Sequence, residues 1–128
     1  MTTESDLIGP TATNRPATLA VDVGGTKLAV GLVNGQGEVL VERRRPTASG
    51  DSEDIFALLA DLVQAVLKES KDLVADAVGI GVGCGGPMTG SPEDRLVSPL
   101  NIDQWRDFPL ARRLSELFDL PAVVDNDA

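Results

Sequence analysis

The spacing of apolar and polar positions changes several times along the chain, and each change predicts an element. Leu19-Ala20-Val21-Asp22-Val23-Gly24 is a short apolar run ended by a glycine pair. Lys27-Leu28-Ala29-Val30-Gly31-Leu32-Val33 resumes it, and Glu38 to Arg44 forms a third run that turns polar toward its end. Runs of this length and content read as strands. Between the second and third, Asn34-Gly35-Gln36-Gly37 is expected to supply the positive-φ residues of a hairpin turn. Connections this short join antiparallel neighbours, so the three runs predict an antiparallel meander.

The period then lengthens. Ile55, Leu58, Leu59, Leu62, Val63, Val66 and Leu67 recur at alternating three- and one-residue steps, the single stripe of an amphipathic helix. Asp51 or Ser52 is placed to cap its start, with Glu53 and Asp54 favourable against the helix dipole. Ala77 to Val82 returns to a buried strand, and reaching it through a helix predicts parallel pairing with an earlier strand by a right-handed crossover. A second helix is expected near Asp107-Phe108-Pro109, with Asp107 as its cap and Leu110, Leu114, Leu117 and Phe118 as its apolar face. Pro121 to Asp125 reads as a last short strand. This order predicts an α/β fold, a mixed sheet with an antiparallel three-strand meander and flanking helices. Residues 1–17, poor in apolar side chains, are read as a flexible N-terminal arm, and 18–128 as one domain.

Composition narrows the chemistry. With 11 Lys+Arg against 20 Asp+Glu the formal charge is −9, which opposes a phosphate-backbone partner, so no nucleic acid is expected. A small anion stays allowed, because backbone N–H groups hold phosphate without net positive charge. The absence of histidine excludes a Ser-His-Asp or Cys-His mechanism and any His-ligated metal within this chain. The single Cys84 excludes an internal disulfide and is read as a small buried residue in a reducing compartment. The N-terminus has no basic stretch followed by an apolar run, and nothing approaches the roughly 18 apolar residues of a membrane span. No membrane partner is therefore expected, and the location is read as cytoplasmic.

Three places carry candidate chemistry. In Asp22-Val23-Gly24-Gly25-Thr26-Lys27 the glycines let backbone approach an anionic ligand, Thr26 adds a hydroxyl and Lys27 a charge, and Asp22 is suited to Mg²⁺ through water. A plain Gly-Gly hairpin competes with that reading. The functional one is favoured because a carboxylate inside an otherwise apolar strand needs a reason. Asn126-Asp127 follows a short strand, where Asp127 is placed to accept a proton from a hydroxyl and Asn126 to fix it, although Asn-Asp is also ordinary turn chemistry. The stretch from Gly85-Gly86-Pro87 to Ser98-Pro99-Leu100-Asn101 is long for an irregular loop, and Asn101 suits a polyol. Trp105 is expected to pack beneath that loop, and Arg43-Arg44-Arg45 to be a solvated strand end.

Asp22-x-Gly24-Gly25-Thr26-Lys27, Gly79-x-Gly81-x-Gly83, Pro99-Leu100-Asn101 with Trp105, Pro109-Leu110 and Asp125-Asn126-Asp127-Ala128 occur in one order. In that ordered set the chain resembles the ROK family of sugar kinases, in particular its bacterial glucokinases, over about residues 18–128. The resemblance implies a ribonuclease H-like, actin-like ATPase fold. It implies ATP-dependent phosphorylation of a hexose, glucose foremost, with Mg²⁺. Asp22, Gly24, Gly25, Thr26 and Lys27 then resemble the ATP-phosphate loop, Asp127 the catalytic base, Asn101 and Asn126 the sugar-hydroxyl ligands, and Gly86 a lining residue of the same pocket. Many relatives carry Pro-Gly where this chain has Gly86-Pro87. Relatives are expected to continue for about as many residues again. That part is implied to hold the Glu and His sugar ligands, the Cys/His zinc motif and most of the adenosine pocket. Zinc is thus expected only outside this chain, the isolated chain is expected to be inactive, and a homo-oligomer of the full-length protein stays open.

Two other classes compete. The family includes sugar-responsive transcription regulators, which carry a helix-turn-helix domain ahead of the Asp22-type motif, where this sequence has only about 17 residues. A non-catalytic sugar-binding fragment is the third reading. The sugar also stays open, because N-acetylmannosamine and fructose kinases share these motifs.

Overall fold

A computed structural model describes residues 16–47, 49–71 and 77–126. Of the arm expected over 1–17, residues 1–15 lie outside the described residues, and Ala17 already belongs to a strand. Strands β1 (Ala17–Val23), β2 (Lys27–Asn34) and β3 (Val39–Pro46) form the predicted antiparallel meander. Helix α1 (Ser52–Ser70) leads to β4 (Ala77–Cys84), which pairs in parallel with β1. Two short strands, β5 (Met88–Thr89) and β6 (Leu96–Val97), make a separate hairpin. Helix α2 (Leu110–Phe118) then leads to β7 (Ala122–Asn126), parallel to β4. The main sheet runs β3-β2-β1-β4-β7, so the mixed sheet read from the sequence is the one observed.

Alternation along the strands decides which face is covered. In β1, Ala17, Leu19, Val21 and Val23 are buried while Thr18, Ala20 and Asp22 are exposed. Leu28, Val30, Leu32, Ile80, Val82, Cys84 and Val124 join the buried set, and Ile55, Leu59, Val63 and Val66 of α1 with Leu110 and Leu114 of α2 complete the same core. Period two in the strands and 3.6 in the helices therefore bring all these side chains into one layer. Trp105 is fully buried, as expected. Its ring stacks on Phe108 with centroids 4.5 Å apart, and its Nε1 donates to the Ser52 carbonyl at 3.1 Å, tying the loop to the start of α1. Cys84 is likewise buried.

Local signals were partly redirected by tertiary contacts. Asp51 is the α1 cap: its carboxylate accepts the Asp54 N–H, and that of Asp54 accepts the Asp51 N–H, each at 2.9 Å. In the β2–β3 turn only Gly37 has positive φ, at 84°, and Gly35 does not, contrary to expectation. The Asn34 side chain shapes this turn instead, its Oδ1 accepting the N–H groups of Gln36 and Glu38 at 2.9 and 3.0 Å. Nor does Asp107 cap α2. It takes a left-handed φ of 51°, and the helix begins after Pro109 without a side-chain cap. The cause is Phe108, whose N–H and carbonyl both pair with Val97 and hold the chain extended up to Pro109. Leu117, assigned to the apolar face, is half exposed, and Ala111 is buried in its stead. Arg43, Arg44 and Arg45 are exposed, with Arg43 paired to Glu69 and Arg44 to Glu42. Among the described residues no helix is long and apolar enough to cross a membrane.

Candidate functional site

Parallel pairing lines up three chain segments at one end of the sheet. In register, Val23 of β1 stands beside Cys84 of β4, and Cys84 beside Asn126 of β7. The Gly24-Gly25 turn, Gly85-Gly86 and Asn126 thus lie side by side beyond or at the carboxyl ends of parallel strands, where open α/β sheets bind ligands.

The first turn is tight. The Gly24 N–H donates to the Lys27 carbonyl at 3.0 Å, leaving Gly25 and Thr26 at its tip. Neither glycine has positive φ, so glycine serves here to leave space and not to permit a left-handed backbone. A β-carbon on Gly25 would stand 2.5 Å from Cβ of Asn101 and 3.1 Å from its carbonyl oxygen. Among the described residues no hydrogen bond uses the N–H of Gly25 or Thr26, so both are available to an anionic oxygen. Thr47, just after β3, braces the turn, its Oγ1 donating to the Gly24 carbonyl at 2.8 Å and its N–H to that of Thr26 at 3.0 Å. Nothing in the sequence around a lone threonine after Pro46 marks this role.

The second segment is ordered as well. The stretch read as a long irregular loop holds the β5–β6 hairpin, a 3-10 turn over Pro92–Asp94 and a cis Gly86–Pro87 bond. A β-carbon on Gly86 would come within 2.9 Å of Nδ2 of Asn126. A cavity of about 300 Å³ opens between Val23, Gly24 and Gly25 on one side, Gly85 and Gly86 on another, and Pro99 to Ile102 on the third. Its size lies at the lower end of small-ligand pockets. Leu100, quoted in the Pro99-Leu100-Asn101 motif without a role of its own, is 76% exposed at the rim.

Gly24, Gly25, Gly86 and Asn101 therefore meet around one cavity, and Asn126 abuts Gly86. Asp22 and Lys27 do not line it. They line a second cavity of about 270 Å³, shared with Ala20, Ala29, Gly31, Glu42 and Arg44. Thr26 lies at the turn tip, bordering a third opening with Gly25, Leu100, Asn101 and Asp103. Asp22 is not in apolar surroundings, contrary to expectation: alternation along β1 turns it outward, where it is exposed. Its neighbours in register are Ala29 and Gly83, too small to cover it. Asp22 is a single carboxylate, and among the described residues no group of three or more His, Cys, Asp or Glu is placed to hold a metal. Asp22 offers one carboxylate, which suits a single contact to Mg²⁺ through water. Asn126 ends β7, its N–H donating to Oδ1 of Asp125 at 2.8 Å. Asp127, the expected base, lies outside the described residues.

The "ROK family" model matches residues 18–128. The chain is 34% identical over 111 residues to a glucokinase of Streptomyces coelicolor, covering 87% of this chain and 32% of that protein. To an N-acetylmannosamine kinase of Escherichia fergusonii it is 34% identical over 112 residues, covering 87% and 36%. The structure of a ROK family glucokinase from Streptomyces griseus, in complex with glucose and AMPPNP, superposes with a TM-score of 0.71 at 32% identity, over 88% of this chain and 33% of that one. A ROK family transcriptional regulator, a homologue of the E. coli MLC protein, superposes with a TM-score of 0.78 at 19% identity, over 90% and 28%, a likeness of fold alone. The chain thus spans about a third of the length of the curated relatives it matches, less than the half expected from the sequence. Its mixed sheet with flanking helices is the actin-like ATPase fold of the ROK sugar kinases, and the chain belongs to the ROK family.

Proposed function

We propose that the protein to which this chain contributes is an ATP-dependent hexose kinase acting foremost on glucose. The observation that carries this reading is the convergence of Gly24-Gly25, Gly86 and Asn101, from three distant parts of the sequence, on one cavity with Asn126 beside it. The kinship with glucokinases and N-acetylmannosamine kinases supports it.

In this reading the hexose occupies the cavity, its hydroxyls held by Asn101 and Asn126. The γ-phosphoryl approaches from the Asp22–Lys27 turn, where the N–H groups of Gly25 and Thr26 and the Lys27 ammonium face phosphate oxygens. Asp22 would hold Mg²⁺ through water, and the ion would supply charge neutralisation on those oxygens. Asp127 accepts the hexose hydroxyl proton as that oxygen bonds to the γ-phosphorus and the bond from phosphorus to the bridging oxygen of ADP breaks. Such a transfer relies on positioning and electrostatics more than on covalent chemistry by the protein.

A panel of glucose, N-acetylmannosamine, mannose and fructose, assayed for ATP-dependent phosphorylation with the full-length protein, tests this. Glucose is expected to give the highest kcat/KM, and Asp127→Asn to abolish turnover while hexose still binds. The 128-residue chain alone is expected to show no turnover. Full activity of Asp127→Asn, or no hexose phosphorylated, would refute the reading.

A further inference from the structure

Arg95 ties the β5–β6 hairpin to β7 from outside the cavity. It stands between β5 and β6, in a hairpin whose two ends lead to cavity residues: Gly86 precedes β5 and Asn101 follows β6. Its Nη1 donates to the Gly90 carbonyl at 2.8 Å, across the hairpin tip. Its Nε donates to the Val124 carbonyl at 3.2 Å, on β7, an edge strand of the main sheet. Its Nη2 lies 3.8 Å from Oδ1 of Asp125, the oxygen that accepts the Asn126 N–H at 2.8 Å. The Arg95 side chain is only 22% exposed although Asp125 is 79% exposed, so this guanidinium is directed at backbone carbonyls more than at a surface ion pair. The neighbouring Asp94 adds a second anchor, accepting from Arg112 of α2 at 2.9 Å. None of the Arg95 partners belongs to the Asp22–Lys27 turn.

We propose that Arg95 is a positioning residue. It fixes the end of β7, and Asn126 with it, against the hairpin that carries Gly86 and Asn101, and so sets the hexose side of the site without touching the hexose. A planar fork with several donors spans these acceptors, whereas a lysine ammonium on a flexible stem satisfies one of them at a time. The proposal rests on the kinase reading above, in which Asn126 and Asn101 hold the sugar.

Steady-state kinetics and amide hydrogen exchange of the full-length protein test it together. Arg95→Ala is expected to lower kcat/KM for the hexose by about 100-fold, the scale of a small misplacement near the reacting atoms, and to leave the KM for ATP unchanged. Arg95→Lys is expected to fall between wild type and alanine. Exchange is expected to quicken over residues 122–126 and to stay the same in α1. Should the alanine variant fail to fold, the lysine variant reads the same split between hexose and ATP. Hexose and ATP constants that deteriorate together with a lowered Tm would overturn the proposal, as would hexose kinetics that do not change. A wild-type protein inactive on every hexose would overturn the kinase reading instead. The exchange data would then decide the Arg95 tie to β7 by themselves, faster exchange over 122–126 upholding it and unchanged exchange refuting it.

Discussion

The backbone of Gly25 lies so close to Asn101 that a β-carbon on the glycine would stand 2.5 Å from the asparagine's own β-carbon. The obstructing atom is fixed to the backbone, and so is the Asn101 carbonyl oxygen at 3.1 Å. Gly25→Ala must therefore move a loop and not a rotamer. It is expected to destabilise the chain by about 1–3 kcal/mol, the usual cost of overpacking, and to raise the hexose KM. Urea denaturation of the 128-residue chain and hexose kinetics of the full-length protein check the two halves of this prediction.

Gly86→Ala should behave differently. The nearest atom a β-carbon would meet is Nδ2 of Asn126, 2.9 Å away at the far end of a side chain that can swing aside. Stability is expected to change by less than about 1 kcal/mol. The displaced Asn126 is nonetheless expected to raise the hexose KM by about tenfold, the equivalent of one hydrogen bond lost. Comparing the denaturation midpoints and hexose constants of the two alanine variants separates a backbone clash from a side-chain one.

Elements with strong periodicity were legible in the sequence, and so was the layer order. The α1 stripe from Ile55 to Leu67 and its Asp51 cap are local signals, and α1 follows them. The start of α2 is not local: it depends on Phe108 pairing with Val97, which no capping rule around Asp107 conveys. The candidate site divides in the same way. Glycines and asparagines stood out as residue types, but the separation of Asp22 and Lys27 from the Asn101 cavity follows from which sheet face the helices cover. Thr47 and Arg95 act through backbone carbonyls of distant segments, and such contacts leave no motif.

The stacked Trp105–Phe108 pair, with its Phe56 neighbour 5.8 Å from Phe108, is the aromatic part of the core. Trp105→Ala is expected to cost about 3–5 kcal/mol. Trp105→Phe keeps the ring but loses the Nε1 donor to Ser52 and is expected to cost less, about 1–2 kcal/mol. Urea midpoints of the two variants measure the difference.

Arg113 donates to both carboxylate oxygens of Glu53, at 2.7 and 3.0 Å, and joins α2 to α1. The Arg113 bond holds the Glu53 carboxyl below its ordinary range. A carboxyl depressed in the folded state contributes stability that is fully present above its unfolded value of about 4.3 and is lost as the pH falls through the lower folded one. Glu53→Gln is therefore expected to be slightly less stable than wild type at pH 7. The gap should close below pH ~4, as acid removes the same contribution from wild type. Thermal unfolding of both proteins across pH 3 to 7 (roughly the carboxylate range) measures this, and a gap that widens in acid would exclude it.

The division of the site into a hexose side and a phosphate side is tested most directly by paired kinetics of Asn101→Ala and Asp22→Asn in the full-length protein. Asn101→Ala is expected to raise the hexose KM about tenfold with the ATP KM unmoved. Asp22→Asn, which loses an ionised partner, is expected to raise the KM for ATP with Mg²⁺ by roughly ten- to a hundredfold with the hexose KM unmoved. Constants for both substrates that shift equally in either variant, or that do not shift at all, would contradict the account.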